Sequence, residues 1–305
     1  MEMIKKVCKL HKQNALKRVV LNKLSYNRRR KIGRHGGLTF EVIDFPVTQK
    51  CTLRCKSCSN LMQYYQDPIS FPKEQVFRDM DTMMNLLDYV QFIMLLGGEP
   101  FIIDNLSEYV EYLSKYKSKF CTIVIITNGT IVPTKKEMIA LSKHTKYLSV
   151  QISNYGSLAV NKNKLIQSLT EYKIPFFTND YCETWKEWGQ LKNGEQMSAE
   201  SHVNKFANCT ARCKTVCNGK FYHCAFLANS EALNAIPYSD KNHINLLKEN
   251  VGIQEFHDYM NKGSTPPGCM YCSGYAHDAP EVPAAEQLKK PREYKCYSDR
   301  SGTNV

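Results

Sequence analysis

The chain's 305 residues are 43% apolar, too rich in core-forming side chains for a disordered or low-complexity polypeptide. No run approaches the roughly 18 apolar residues that a membrane-spanning helix needs. The formal net charge of +12 first suggests a nucleic-acid partner, but residues 1–35 hold twelve Lys/Arg against the single acid Glu2, so the remainder is close to neutral. A nucleic-acid partner is therefore not expected.

Residues 1–37 read as a basic arm. As a helix, residues 3–24 bring Ile4, Cys8, Ala15, Val19 and Leu16, Val20, Leu24 to one side with lysines elsewhere. A basic amphipathic helix suits an anionic membrane surface, a partner protein or the outside of its own domain, and all three readings stay open. Leu38–Val47 then reads as a strand closed by Pro46. Val90–Leu96, ending at Gly97-Gly98, and Cys121–Thr127, ending at Asn128-Gly129, are continuous apolar runs. Tyr147–Ile152 is a further strand and Ile174–Thr178 a weaker one. Between them Val76–Leu87 and Leu106–Leu113 carry apolar residues at helical spacing. Buried strands alternating with helices predict an α/β fold of parallel units, a barrel or part of one. From about Trp185 that rhythm stops and cysteines come in bursts. The expected division is an arm (1–37), a partial barrel (38–195) and a small metal-stapled module (196–305).

Thirteen cysteines, an odd number without a secretory leader, argue against a disulfide framework and for reduced thiols in the cytoplasm. Cys51, Cys55 and Cys58 follow the first strand directly, on a loop with polar Arg54, Lys56 and Ser57. Three thiolates converging on an iron–sulfur cubane leave one iron free for a substrate or cofactor. One β/α unit later comes Gly97-Gly98-Glu99-Pro100, where paired glycines let the backbone approach a ligand and Glu99 can accept from a ligand ammonium.

The C-x3-C-x2-C loop and Gly97-Gly98-Glu99-Pro100 together resemble the radical S-adenosylmethionine (SAM) superfamily. The resemblance implies a partial (β/α)6 barrel. It also implies a [4Fe–4S] cluster on Cys51, Cys55 and Cys58, SAM bound at its open iron, and an electron donor such as flavodoxin or ferredoxin. The chemistry implied is reductive cleavage of SAM to a 5′-deoxyadenosyl radical, which takes a hydrogen atom from a substrate. Thr127-Asn128-Gly129 resembles the family's T-N-G near the cofactor, and Ser153-Asn154 stands where relatives place polar contacts to SAM. Ser57 occupies a position that is commonly aromatic and packs on adenine, which leaves Tyr64, Tyr65 or backbone for that task.

Cys209, Gly219 and Cys224, followed by Cys269 and Cys272, resemble the twitch form of the SPASM extension. This implies a second [4Fe–4S] cluster on four thiolates; a four-thiolate zinc site is the other reading, and Cys213 or Cys217 remains an alternative to Cys209. Asn218-Gly219 is a hairpin signal in its own right. Cys182, just past a late strand, is a candidate hydrogen-atom donor to a substrate radical. Only about 37 residues precede the first strand, too few for the recognition domain of many peptide-modifying relatives. A small-molecule, sugar-like substrate undergoing oxidation or epimerisation is therefore expected, with maturation of a ribosomally made peptide as the alternative.

Overall fold

A computed structural model describes residues 20–179, 183–192, 198–211, 213–261 and 265–297. Its organising element is one eight-stranded sheet of order β5-β4-β3-β2-β1-β7-β8-β9. Strands β1 (Thr39–Thr48), β2 (Tyr89–Gly97), β3 (Phe120–Thr127), β4 (Leu148–Ile152) and β5 (Phe176–Thr178) are the five apolar runs of the sequence. All pair in parallel. Helices α2 (Lys73–Leu86), α3 (Leu106–Ser114), α4 (Lys135–Ser142) and α5 (Lys162–Glu171) make the crossovers. One face of each strand enters the core beneath them, where Ile43, Phe45, Ile93, Leu95, Ile123 and Ile125 meet Met80, Met83 and Leu113.

The sixth parallel strand is not where a simple β/α count puts it. β7 (Cys213–Cys217) pairs in parallel with β1, on the opposite side from β2, with Val42 beside Cys213 and Asp44 beside Thr215. From β7 the sheet continues antiparallel through β8 (Lys220–Tyr222) and β9 (His243–Asn245). The turn between β7 and β8 is the expected Asn218-Gly219, with φ of 53° and 68°. Left-handed values at both central residues fit a type I′ turn, and glycine bears them without strain.

The division near residue 195 is not a break in the core. Phe221 of β8 packs at 5.2 Å on Phe40 of β1 and at 5.0 Å on Phe256 of α8 (Ile253–Met260). A second apolar cluster fills the other side of the hairpin, where α7 (Ala225–Ala232) brings Phe226 and Leu227 against Leu61, Met62, Tyr64 and Tyr65. A two-stranded ribbon of β6 (Thr184–Lys186) and β10 (Glu281–Pro283) completes the arrangement, with α6 (Ala199–Ala207) between β6 and β7.

The described part of the basic arm is a helix, α1, over residues 20–34, so helical structure runs ten residues beyond the expected limit and includes Arg28–Lys31. It docks on the start of β2. Ser25 Oγ lies 2.9 Å from Tyr89 Oη, Arg28 sits 4.5 Å over the Tyr89 ring, and Gln91 donates to Asn22 O. Val20, Leu21 and Leu24 stay exposed. The expectations placed on residues 3–19 and on Cys182 lie outside the described residues. Among the described residues no helix is long and apolar enough to cross a membrane.

Candidate active site

The loop after β1 carries Cys51, Cys55 and Cys58 to the C-terminal end of the parallel strands, where open α/β sheets gather ligands. All three line one cavity of about 470 Å³ together with Gly97, Gly98, Thr127, Asn128 and Ser153. Burial pushes the Cys51 thiol up to about 12 and Cys55 up to about 11, and also raises Cys58. Each of Cys51 and Cys55 is raised further by the neighbouring thiols. Such a trio stays protonated at neutral pH unless a positive centre draws off the protons, which is the donor chemistry of a thiolate-ligated metal site. The residues present therefore fit an iron–sulfur cluster.

The two glycines serve the loop as well as the cavity. A Cβ on Gly97, whose φ is +151°, would stand 2.0 Å from Thr48 O, and one on Gly98 would stand 2.2 Å from Lys50 O. The backbone is that close because Gly98 N–H donates to Thr48 O at 2.9 Å and Glu99 N–H to Lys50 O at 2.8 Å. The chain entering the cysteine loop is thus clamped to the end of β2, and only glycine allows it.

Glu99 follows directly on these glycines. Its side chain is fully buried and does not line the cavity. Oε1 accepts from Phe101 N–H at 3.1 Å and Thr127 Oγ1 at 2.8 Å, while Oε2 accepts from Asn128 N–H at 2.7 Å. Desolvation moves its carboxyl up to about 7 although all three donors pull it down. Through these bonds Glu99 holds the end of β3 in place. Pro100 opens a short 3-10 turn, buried behind it. Asn128 links two loops: its Nδ2 donates to Thr52 Oγ1 at 3.0 Å and its Oδ1 accepts from Thr130. Ser153 lines the cavity, but Asn154 turns away and accepts from Lys162 Nζ at 2.7 Å.

The aromatic wall also differs. Tyr64 packs on Tyr294 and Tyr65 donates to Asn229 Oδ1, neither lining the cavity. Tyr155, Trp185 and Trp188 line it instead, with the Tyr155 and Trp185 rings 5.5 Å apart and tilted at 68°. The signal available in the sequence was the chain's two tryptophans, spaced by three in an otherwise polar stretch. Their placement depends on the β6–β10 pairing, which joins residues about a hundred positions apart. Gln190 fixes this wall to the cysteine loop by donating to Cys58 O at 3.3 Å and Trp188 O at 3.0 Å.

Cys224, Cys269 and Cys272 of the second cysteine set pack in the apolar cluster of Phe226 and Leu227. Desolvation moves Cys224 up to about 11 and puts Cys269 well above its ordinary range, and Cys209, Cys224, Cys269 and Cys272 act on one another electrostatically. Cys213 reaches this group through Cys224 and also feels Asp44. Cys217 faces Asp79 and Glu231 instead. Two half-buried or buried ammoniums accompany the thiols: Lys205 Nζ donates to Cys272 O at 2.7 Å and Lys214 Nζ to His223 O at 3.1 Å. His223 stacks at 4.2 Å on Tyr259 and is held neutral, its pKa lowered to about 3 by burial and Lys214. Among the described residues no group of three or more His, Cys, Asp and Glu side chains is placed to hold a metal ion. A cubane asks for a wider setting than one ion does, because each thiolate caps a different iron.

Residues 45–155 match the Radical SAM superfamily. That stretch runs from β1 through the loop after β4 and contains Cys51, Cys55, Cys58 and Gly97–Pro100. A curated GTP 3′,8-cyclase of Campylobacter jejuni (strain RM1221) is 29% identical over 100 residues, covering 32% of this chain and 30% of the cyclase, so the match spans under a third of that relative. Among solved structures, BtrN in complex with AdoMet and 2-DOIA superposes with a TM-score of 0.48 at 17% identity, over 82% of this chain and 97% of BtrN. Native anSMEcpe with bound AdoMet gives 0.48 at 14% identity over 74% and 82% of the two chains.

Proposed function

We propose that this chain is a radical SAM enzyme acting on a small, sugar-like molecule by oxidation or epimerisation. The observation that carries the reading is the convergence of Cys51, Cys55 and Cys58 on the cavity that Gly97, Gly98, Asn128 and Ser153 also line; the superfamily match over residues 45–155 supports it. Bound there, a [4Fe–4S] cluster and SAM would supply a 5′-deoxyadenosyl radical, with an external donor such as a flavodoxin or ferredoxin providing the electron. Cys51, Cys55 and Cys58 are the residues to hold the cluster. The Gly97-Gly98 backbone, Asn128 and Ser153 offer the polar contacts for SAM, and Tyr155, Trp185 and Trp188 are the aromatic surfaces against which it would lie. That wall also keeps water from the reacting centre, as radical chemistry requires.

Cys209, Cys224, Cys269 and Cys272 are assigned to a second cluster, with Lys205 and Lys214 offsetting its thiolate charge. Anaerobic reconstitution followed by iron and sulfide analysis tests the assignment: about eight irons per chain are expected for two cubanes. About four would remove the second cluster, and zinc in place of iron would remove the reading altogether. Replacing Cys51, Cys55 and Cys58 by alanine abolishes 5′-deoxyadenosine formation if they hold the SAM-binding cluster; continued SAM cleavage would refute it.

A further inference from the structure

The segment after β10 lies antiparallel to the cysteine loop and meets it in an isolated bridge, with Cys55 opposite Gln287. Lys56 N–H donates to Glu286 O at 2.8 Å and Leu288 N–H donates to Arg54 O at 2.9 Å. Both bonds join the chain neighbours of Cys55 and Gln287, which makes these two a non-hydrogen-bonded antiparallel pair. In such pairs the Cα atoms stand about 4.5 Å apart and the side chains come close together on one face. The backbone thereby brings the Gln287 amide to the Cys55 sulfur, and Nε2 donates to Sγ at 3.2 Å.

The orientation of that amide is fixed without the sulfur. Its Oε1 accepts from Arg54 N–H at 2.9 Å and its Nε2 donates to Ala285 O at 2.7 Å. Turned end for end, it would set its NH2 against a donor and its oxygen against a carbonyl. The second Nε2 hydrogen is then left for Cys55. Ala285 has a left-handed backbone, with φ of 53°, and is 3% exposed. A buried alanine in that region is uncommon and costs conformational energy. Such outliers collect where the surrounding structure demands a particular geometry, and here the turn closes Ala285 O on the Gln287 amide.

The other two thiols of the loop are met differently. Cys51 receives Leu53 N–H at 3.5 Å and Asn128 Nδ2 at 3.6 Å, and that nitrogen also donates to Thr52 Oγ1 at 3.0 Å. Cys58 is met by the backbone amides of Asn60 and Met62. Gln287 is thus a closer side-chain donor than Asn128, and its amide is held at both ends.

A cysteine sulfur bound to an iron–sulfur cluster gains electron density when the cluster is reduced. An N–H directed at it makes a stronger bond in the reduced state and raises the reduction potential. We propose that Gln287 tunes the cluster on Cys51, Cys55 and Cys58: its Nε2–H bond to Cys55 Sγ favours the reduced state and eases delivery of the electron. This rests on the cluster assignment made above. It gives a part in the redox chemistry to a segment that lies outside the superfamily match of residues 45–155.

The test is a potentiometric titration of the full-length, anaerobically reconstituted protein. It follows by EPR the reduced-cluster signal that added SAM perturbs, which belongs to the cluster with the open iron. Gln287→Leu fills similar space without a donor. At the wild-type midpoint its reduced-to-oxidised ratio is expected to fall by about threefold or more, a shift of about 30 mV to more negative potential for one electron. Gln287→Glu keeps an acceptor for Arg54 N–H but sets a carboxylate beside the sulfur, so a shift in the same direction and at least as large is expected. Glu286→Gln removes only the exposed ion pair with Lys56 and is expected to leave the midpoint where it was. An unchanged or more positive midpoint in Gln287→Leu at full iron content overturns the proposal. An equal shift in Glu286→Gln also overturns it, because the effect would then belong to the whole segment and not to the amide. If Gln287→Leu does not hold iron, the midpoint of Gln287→Glu decides on the same terms. Failure of the cluster assignment itself would show separately, as iron missing from the wild type.

Discussion

At the scale of single residues, the side chains that organise this protein are buried carboxylates set against backbone N–H groups. Asp79 on α2 accepts from Gly219 N–H at 2.8 Å, tying the turn of the β7–β8 hairpin to a crossover helix. Burial raises its carboxyl from 3.8 to about 6, against the lowering effect of the Gly219 and Asn218 amides and of Arg78; the buried Cys217 thiol also faces it. A folded-state pKa above the unfolded one means the native protein holds that proton more tightly. The contribution of Asp79 to stability is therefore full below about pH 4 and declines as the pH rises through 6. The shift of roughly two pH units corresponds to at most about 3 kcal/mol. Asp79→Asn keeps an acceptor for Gly219 and removes the titration. Denaturant melts should show the variant gaining on the wild type by up to that amount between pH 4 and pH 7; a pH-independent difference would contradict the assignment. Thr134 makes a smaller case, since its Oγ1 caps α4 by accepting from Glu137 N–H at 3.2 Å. Thr134→Ala should cost about 1 kcal/mol, measurable in the same melts.

At the scale of elements, the segment after β10 is the connection that local sequence patterns do not announce. It returns across the cysteine loop as a strap. Lys56 N–H donates to Glu286 O at 2.8 Å, Leu288 N–H to Arg54 O at 2.9 Å and Arg292 N–H to Gln63 O at 2.8 Å. Gln287 accepts from Arg54 N–H at 2.9 Å and turns its Nε2 to Cys55 Sγ at 3.2 Å. The exposed Lys56–Glu286 pair adds little to stability in water; the backbone bonds are what hold the loop. A chain ending after Pro283 should take up the proposed cluster on Cys51, Cys55 and Cys58 and then lose iron to a chelator several-fold faster than the full chain, followed by the decay of the cluster absorbance. Equal rates would show that the strap does not shield the loop.

At the scale of the whole molecule, one sheet and its larger core run through both the parallel strands and the C-terminal hairpin. Phe221 is fully buried between Phe40 and Phe256. Phe221→Ala should cost about 3–5 kcal/mol and lower the stability of the parallel strands and the C-terminal part together. Calorimetry should then show a single transition moving as one. A wild-type profile with two independent transitions, only one of them shifted by the substitution, would mean that the two parts fold separately. Isolated residues 38–195 are expected to be poorly soluble, since removing β7 bares the edge of β1.

The five parallel strands, their helices, the Asn218-Gly219 hairpin and the grouping of cysteines were legible in the sequence because each depends on short-range pattern. Apolar runs of strand length, 3.6-residue periodicity, left-handed turn residues and closely spaced thiols all declare themselves within a dozen positions. The role of Glu99, the orientation of Asn154 and the aromatic wall of Tyr155, Trp185 and Trp188 were not legible. Each depends on which distant backbone amide, cation or strand arrives beside it. Asp44 is the clearest instance. In the sequence it is one acid in an apolar strand, and only the pairing of β1 with β7 on one side and β2 on the other sets it in a row with Thr215 and Ser149. The sequence by itself determined the α/β class, the confinement of the +12 charge to the N-terminal arm and the cysteine spacing. Tertiary structure decided that the C-terminal hairpin shares a core with the parallel strands and which polar atoms remain unanswered inside the sheet, because register across a sheet is set by partners far away along the chain.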